Sequence, residues 1–173
     1  GYQILRGAIL LNLGRVDEAL AAADKALATD AKSGLAWSLR AVAAVSRNDR
    51  KQALAAARKG VELSPERAAA SIALSYALRA NLRLEEARDV LLEAVEKEPN
   101  NALAWALLSE TWLALGYRKR AEEAARSAKS TDPTLERVQT VLGFAALASL
   151  RFDEAVPAFR RAIALDSSSP LPR

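Results

Sequence analysis

The chain has 173 residues, the length of one ordinary domain, and 51% of them are hydrophobic, enough to bury a core. Cysteine and histidine are both absent. Their absence excludes zinc sites built on those ligands, thiol nucleophiles, disulfides and every histidine-based triad. The formal charge of +4 is spread along the chain and does not announce a nucleic-acid partner. No apolar run reaches the roughly eighteen residues of a membrane span, and no secretory leader is visible after Gly1. The compartment, cytoplasm or periplasm, is left open, and the alanine and arginine bias points to a bacterial source.

Five stretches along the chain are alike and evenly spaced. Alanine stands at Ala19, Ala53, Ala87, Ala121 and Ala155, each step being 34 residues (53 − 19, 87 − 53, 121 − 87, 155 − 121). A second column of small residues follows at Ala26, Gly60, Ala94, Ala128 and Ala162, and a third precedes at Gly7, Ala41, Ser75, Ser109 and Gly143. A punctuating column closes each unit at Ala31, Pro65, Pro99, Pro133 and Ser167. The units run 1–33, 34–67, 68–101, 102–135 and 136–169, with 170–173 left as a tail or the start of a further element.

Each unit reads as helix, turn, helix. In the fourth, Leu103, Leu107, Trp112 and Leu115 recur at helical spacing and Gly116 stops the helix. In the third, Ala87, Val90, Leu91 and Ala94 form one face and Pro99 ends the unit. Small columns let two helix backbones approach. Pro157 sits early in the last helix, where it removes a backbone donor and predicts a bend or a late helix start.

The period, the small columns and the closing acid-proline pair resemble the tetratricopeptide repeat family over residues 1–169. The best match is the fourth unit, through Trp105, Leu108, Ser109, Trp112, Ala121, Ala128 and Pro133. The resemblance implies an all-α solenoid of stacked antiparallel helix pairs. It further implies a right-handed superhelix whose concave groove is lined by the first helix of each pair. A non-catalytic protein–protein interaction scaffold follows as the expected function. Both ends read as cut, which suggests a piece of a longer array.

Mapping the family's inward face onto this chain gives candidate partner-binding residues. They are Leu35, Ser38, Val42 and Val45; Ile72, Tyr76 and Arg79; Ala106, Glu110 and Leu113; and Thr140, Phe144 and Leu147. Relatives that grip acidic chaperone tails use a clamp of Lys, Asn and Arg; here the matching positions hold Leu5, Ala8, Leu39 and Val42. An apolar groove fits an amphipathic helix or an extended apolar segment better.

The units alternate. Odd units open their second helix with an apolar residue and two acids, whereas even units open it with Arg50-Lys51-Gln52 and Arg118-Lys119-Arg120. Cations at a helix start oppose the helix dipole. These basic turns offer a weak nucleic-acid or acidic-surface site, but Asp17, Glu18, Asp49, Glu85, Glu86, Glu122, Glu123, Asp153 and Glu154 share the same edge. A mixed solvated face is the simpler reading. Arg6 and Arg40 replace a leucine kept at Leu74, Leu108 and Leu142, and are expected to snorkel or to pair with a carboxylate such as Asp24. No Gly-rich phosphate loop or metal constellation appears, so no cofactor and no small-molecule substrate are expected. The alternative to a scaffold is a spacer or self-assembly module.

Overall fold

The computed structural model describes residues 1–167, the side chain of Ser167 excepted, so the tail expected over 170–173 lies outside the described residues. Among the described residues ten α-helices follow one another: α1 (Tyr2–Asn12), α2 (Val16–Thr29), α3 (Gly34–Ser46), α4 (Arg50–Leu63), α5 (Ala68–Ala80), α6 (Leu84–Lys97), α7 (Ala102–Ala114), α8 (Arg118–Thr131), α9 (Glu136–Ala148) and α10 (Phe152–Ser167). Among the described residues there is no strand, and no helix is long and apolar enough to cross a membrane. Two compact units result, Gly1–Lys97 with α1–α6 and Glu98–Arg173 with α7–α10.

Within the first unit each helix packs on the next, and the first helices also pack on one another, α1 on α3 and α3 on α5. Among the described residues no second helix of this unit brings its backbone close to that of another second helix. The first helices therefore form the tight row and the second helices the spread one. In the second unit α7 packs on α8 and α9, α8 on α9, and α9 on α10.

The small columns explain the close approach. Ala19, Ala53, Ala87 and Ala121 are wholly buried, and Ala155 nearly so. A Cβ added at Gly143 would lie 2.5 Å from the Phe159 ring, and one at Gly60 would lie 3.2 Å from the Gly34 carbonyl oxygen. In the fourth repeat the Ser109 hydroxyl spans the pair directly and donates to the Ala121 carbonyl at 2.8 Å. Helices this close exclude larger side chains, because overpacking forces backbone shifts.

Every first helix ends the same way. Gly14, Asn48, Leu82, Gly116 and Leu150, again 34 residues apart, all have positive φ, between 58° and 84°. At each, the next residue's N–H donates back across the turn: Arg15 to Leu10, Asp49 to Ala44, Arg83 to Leu78, Tyr117 to Trp112 and Arg151 to Ala146, at 2.8–3.0 Å. This is the left-handed helix stop that satisfies the last carbonyls. Glycine and asparagine adopt it readily, whereas Leu82 and Leu150 adopt it against their steric preference.

Pro157 lies inside α10, which begins at Phe152 as its repeat position requires. A late start of that helix is therefore corrected. The proline falls near the helix beginning, and the missing donor costs one bond without moving the boundary.

Candidate functional site

The first helices of each unit carry the positions expected from the family's groove. In the first unit Leu35, Val42 and Val45 on α3 are half-buried, and Val42 and Val45 pack against the alanine core of α3, α4 and α5. Tyr76 and Arg79 on α5 are half-buried. Ile72 is only 8% exposed and Ser38 is also buried, so these two support the face and do not present to a ligand. What remains in this unit is apolar, with one phenol and one guanidinium at its α5 edge.

In the second unit Ala106 is buried and Leu113 half-buried. Glu110 is held by Arg137 at 3.2 Å. Thr140 donates to Glu136 at 2.7 Å. Phe144 is 49% exposed although its edge meets Phe159 of α10, with ring centroids 5.1 Å apart and planes at 76°. Leu147, one turn on, is exposed as well. A half-exposed aromatic beside an exposed leucine is the most accessible apolar surface among the inward positions.

Several cations at the turns between paired helices make local contacts. In the odd repeats an arginine just before the second helix grips a glutamate three residues on. Arg15 meets Glu18 at 2.6 Å, Arg151 meets Glu154 at 3.0 Å, and Arg83 pairs with Glu86 likewise. The Arg15 hydrogen bond holds the Glu18 carboxyl below the usual carboxylate range. Even repeats replace this pair. Asp49 caps α4 by accepting from the Gln52 N–H at 3.1 Å, while Arg50 donates to the Asn48 side chain at 3.3 Å. At α8 the Arg120 guanidinium lies over the Trp112 ring at 5.3 Å, and Trp112 meets the Tyr117 ring edge-on at 5.2 Å.

The contact at the helix start thus differs between repeats: an Arg–Glu ion pair in the odd ones, a cap from Asp49 to the Gln52 backbone at α4, and Arg120 over Trp112 at α8. Arg120 breaks the dipole rule because a cation–π contact offsets an unfavourable charge of similar size. Lys51, Arg118 and Lys119 are exposed. Arg40 pairs with Asp24 at 3.2 Å, as its position suggested, and also lies over Trp37 at 5.7 Å. Arg6 is half-buried. Among the described residues no group of three or more Asp or Glu side chains is placed to hold a metal.

Sequence reasoning missed the exposed apolar stripe of α1, Tyr2, Leu5 and Ile9, and that of α10, Phe152, Val156 and Ile163. The available signal was comparison of one repeat with the next, because the α3 and α9 equivalents of the α1 stripe are buried.

Two tetratricopeptide repeat models match the sequence, one over residues 4–68 and the other over 44–111. A thermophilic TPR protein of Thermus thermophilus superposes with a TM-score of 0.87 at 24% identity, over 97% of this chain and 92% of that one. MamA of Desulfovibrio magneticus RS-1 superposes at 0.68 with 20% identity, over 99% of each chain. YrrB, a TPR protein with an unusual peptide-binding site, superposes at 0.61 with 20% identity, over 96% of this chain and 86% of that one. No curated protein matches the sequence significantly. At these identities the likeness to solved structures is one of fold alone.

Proposed function

Because this chain belongs to the tetratricopeptide repeat family, we propose that it is a non-catalytic interaction scaffold whose first-helix faces bind a protein segment. The observation that carries this reading is Phe144, half-exposed on the inward row with Leu147 beside it. Close packing of the repeats uses small residues, and the part of the Phe144 ring that its contact with Phe159 leaves exposed is available to a partner. The segment that suits it is an amphipathic helix or an extended apolar stretch, which would bury the Phe144 ring and the Leu147 side chain. In the first unit Tyr76 and Arg79 would add a hydrogen-bonding and a cationic contact to an apolar floor of Val42 and Val45. Leu35, Glu110, Leu113 and Thr140 are the flanking contacts of the proposal. A five-repeat array over 1–169 is the domain this reading assumes.

The experiment compares capture of partners from native lysate by the wild-type chain and by a Phe144→Ala/Leu147→Ala variant, with helicity checked by circular dichroism. A Tyr76→Ala variant serves the first unit in the same way. Loss of a specific captured protein in the folded double variant supports the face as its binding site. Undiminished capture of the same protein by all variants would move the binding surface elsewhere.

A further inference from the structure

Charge is unevenly shared among the repeats, and the second one stands apart. Residues 34–67 hold seven Lys and Arg against three Asp and Glu, a net +4 that equals the formal charge of the whole chain. The repeat before it is neutral, with four basic residues against four acidic ones, and the repeat after it has four against six, a net −2. Within the second repeat α3 and α4 wall a cleft of about 400 Å³, lined by Trp37, Arg40, Gln52, Ala55, Ala56 and Lys59. None of these six is acidic. Helical periodicity puts Trp37 and Arg40 on the side of α3 opposite Leu35, Val42 and Val45, so the cleft is separate from the face proposed above.

The lining residues are particular to this repeat. At the register of Gln52 the odd repeats place Glu18, Glu86 and Glu154; at those of Ala55 and Lys59 the third repeat places Asp89 and Glu93. Ala55 and Ala56 contribute only methyl groups, and Trp37 supplies the larger apolar surface. The indole is fixed in place, because its Nε1 donates to the Ala31 carbonyl at 3.0 Å. Arg40 lies over the ring at 5.7 Å and presents Nη1 to Asp24 at 3.2 Å. A guanidinium has several N–H donors, so others remain for a ligand. Lys59 meets Glu62 at 2.8 Å. Both ion pairs are open to solvent and worth little, so an incoming carboxylate can exchange for Asp24 or Glu62.

We propose that this cleft binds an acidic segment of a partner protein, a carboxylate of which is held by Arg40 and Lys59 while a neighbouring apolar side chain lies against Trp37, Ala55 and Ala56. The sign of the charge selects an anion, and Gln52 adds an amide donor. The extent of the charge selects a peptide over nucleic acid. A nucleic-acid strand is followed by a positive groove that tracks its backbone. Here the positive zone stops at a neutral repeat on one side and an acidic repeat on the other. One or two carboxylates fit within it, and a run of phosphates does not.

The probe is the peptide acetyl-Ser-Asp-Phe-Asp-Ser-amide, titrated at low salt into the isotope-labelled 173-residue chain, with the NMR signal of the Trp37 indole N–H as reporter. That signal and the backbone signals of Gln52 and Ala55 should shift together and saturate. Ala55 is exposed, so Ala55→Asp should stay folded by circular dichroism, and an acid in the cleft should weaken binding about tenfold. Lys59→Gln, a second exchange that adds no charge, should weaken it about threefold. The counterpart acetyl-Ser-Asn-Phe-Asn-Ser-amide should leave the Trp37 signal in place. Tyr76→Ala should bind the acidic peptide as the wild type does, which separates this cleft from the inward face. A Trp37 signal that the acidic peptide does not move overturns the proposal, as does undiminished binding by Ala55→Asp and Lys59→Gln or equal binding of the asparagine peptide. An oligothymidylate that saturates the same Trp37 shift at lower concentration than the peptide overturns the choice of a protein partner.

Discussion

Lys97, at the end of α6, reaches back to donate from Nζ to the Pro65 carbonyl at 3.0 Å, tying the second helix of the third repeat to the turn that precedes its first. In three other repeats that carbonyl is satisfied from a different place. Trp37 donates to Ala31 at 3.0 Å, Trp105 to Pro99 at 2.8 Å and Gln139 to Pro133 at 2.7 Å, each from six residues downstream. Position 71 is serine and too short to make that reach, so a lysine from another helix supplies the donor.

Lys97→Met should therefore cost about 1 kcal/mol, the net worth of one such bond. Ser71→Gln placed in that background should recover most of the loss by donating as Gln139 does. Urea unfolding of the single and double variants measures both. A double variant no more stable than Lys97→Met would show that the third turn does not use this position.

Leu82 and Leu150 hold the left-handed conformation that glycine holds in the first and fourth repeats. Leu82 is 78% exposed, so little packing is lost with its side chain. The strain relieved is about 1–2 kcal/mol, and the extra flexibility of glycine in the unfolded chain takes back about 0.5–1 kcal/mol. Leu82→Gly and Leu150→Gly should each gain about 0.5–1 kcal/mol in denaturant melts. Gly116→Leu should lose a similar amount.

Enlarging a small column should do the opposite. Gly143→Ala places a methyl against the Phe159 ring, and Ala87→Leu adds three carbons to a site with no exposure. Each should cost about 1–3 kcal/mol. Equal thermal unfolding of wild type and Ala87→Leu would remove close backbone approach as the reason for the column.

The Arg15–Glu18 pair predicts a response to acid. The Glu18 carboxyl titrates lower when folded than when unfolded, chiefly through the Arg15 hydrogen bond. Its contribution is thus present above the unfolded value and is lost as pH falls through the folded one. Arg15→Gln should raise the Glu18 titration, followed by NMR of its carboxyl carbon, and should flatten the acid limb of the stability curve. An unmoved Glu18 titration in that variant would remove Arg15 as the cause.

The repeat, its helix pairs and the small columns are all legible in the sequence. Ala87 and Ala121 recur at one spacing because every pair of helices meets the same neighbour, so one packing problem is written five times. Gly116 marks its helix end because glycine is the residue that geometry prefers. The same end at Leu82 and Leu150 is hidden: the turn is imposed by how the two helices dock, and docking overrides the local preference of leucine. Similarly, Arg120 reads as a misplaced charge in one dimension, and only folding brings Trp112, eight residues earlier, beneath it. The inward row was placed by analogy, and burial removes Ser38, Ile72 and Ala106 from its surface.

Periodicity and side-chain size therefore suffice for the class of fold, since both are properties of a residue and its helix. Exposure is not such a property. Tyr2 and Ala36 occupy the same register, and the difference between a bare tyrosine and a buried alanine lies entirely in whether another repeat packs against it. Which apolar side chains face solvent, which carbonyl Lys97 reaches and which cation finds a ring all depend on neighbours distant in sequence, and packing in three dimensions brings those neighbours together.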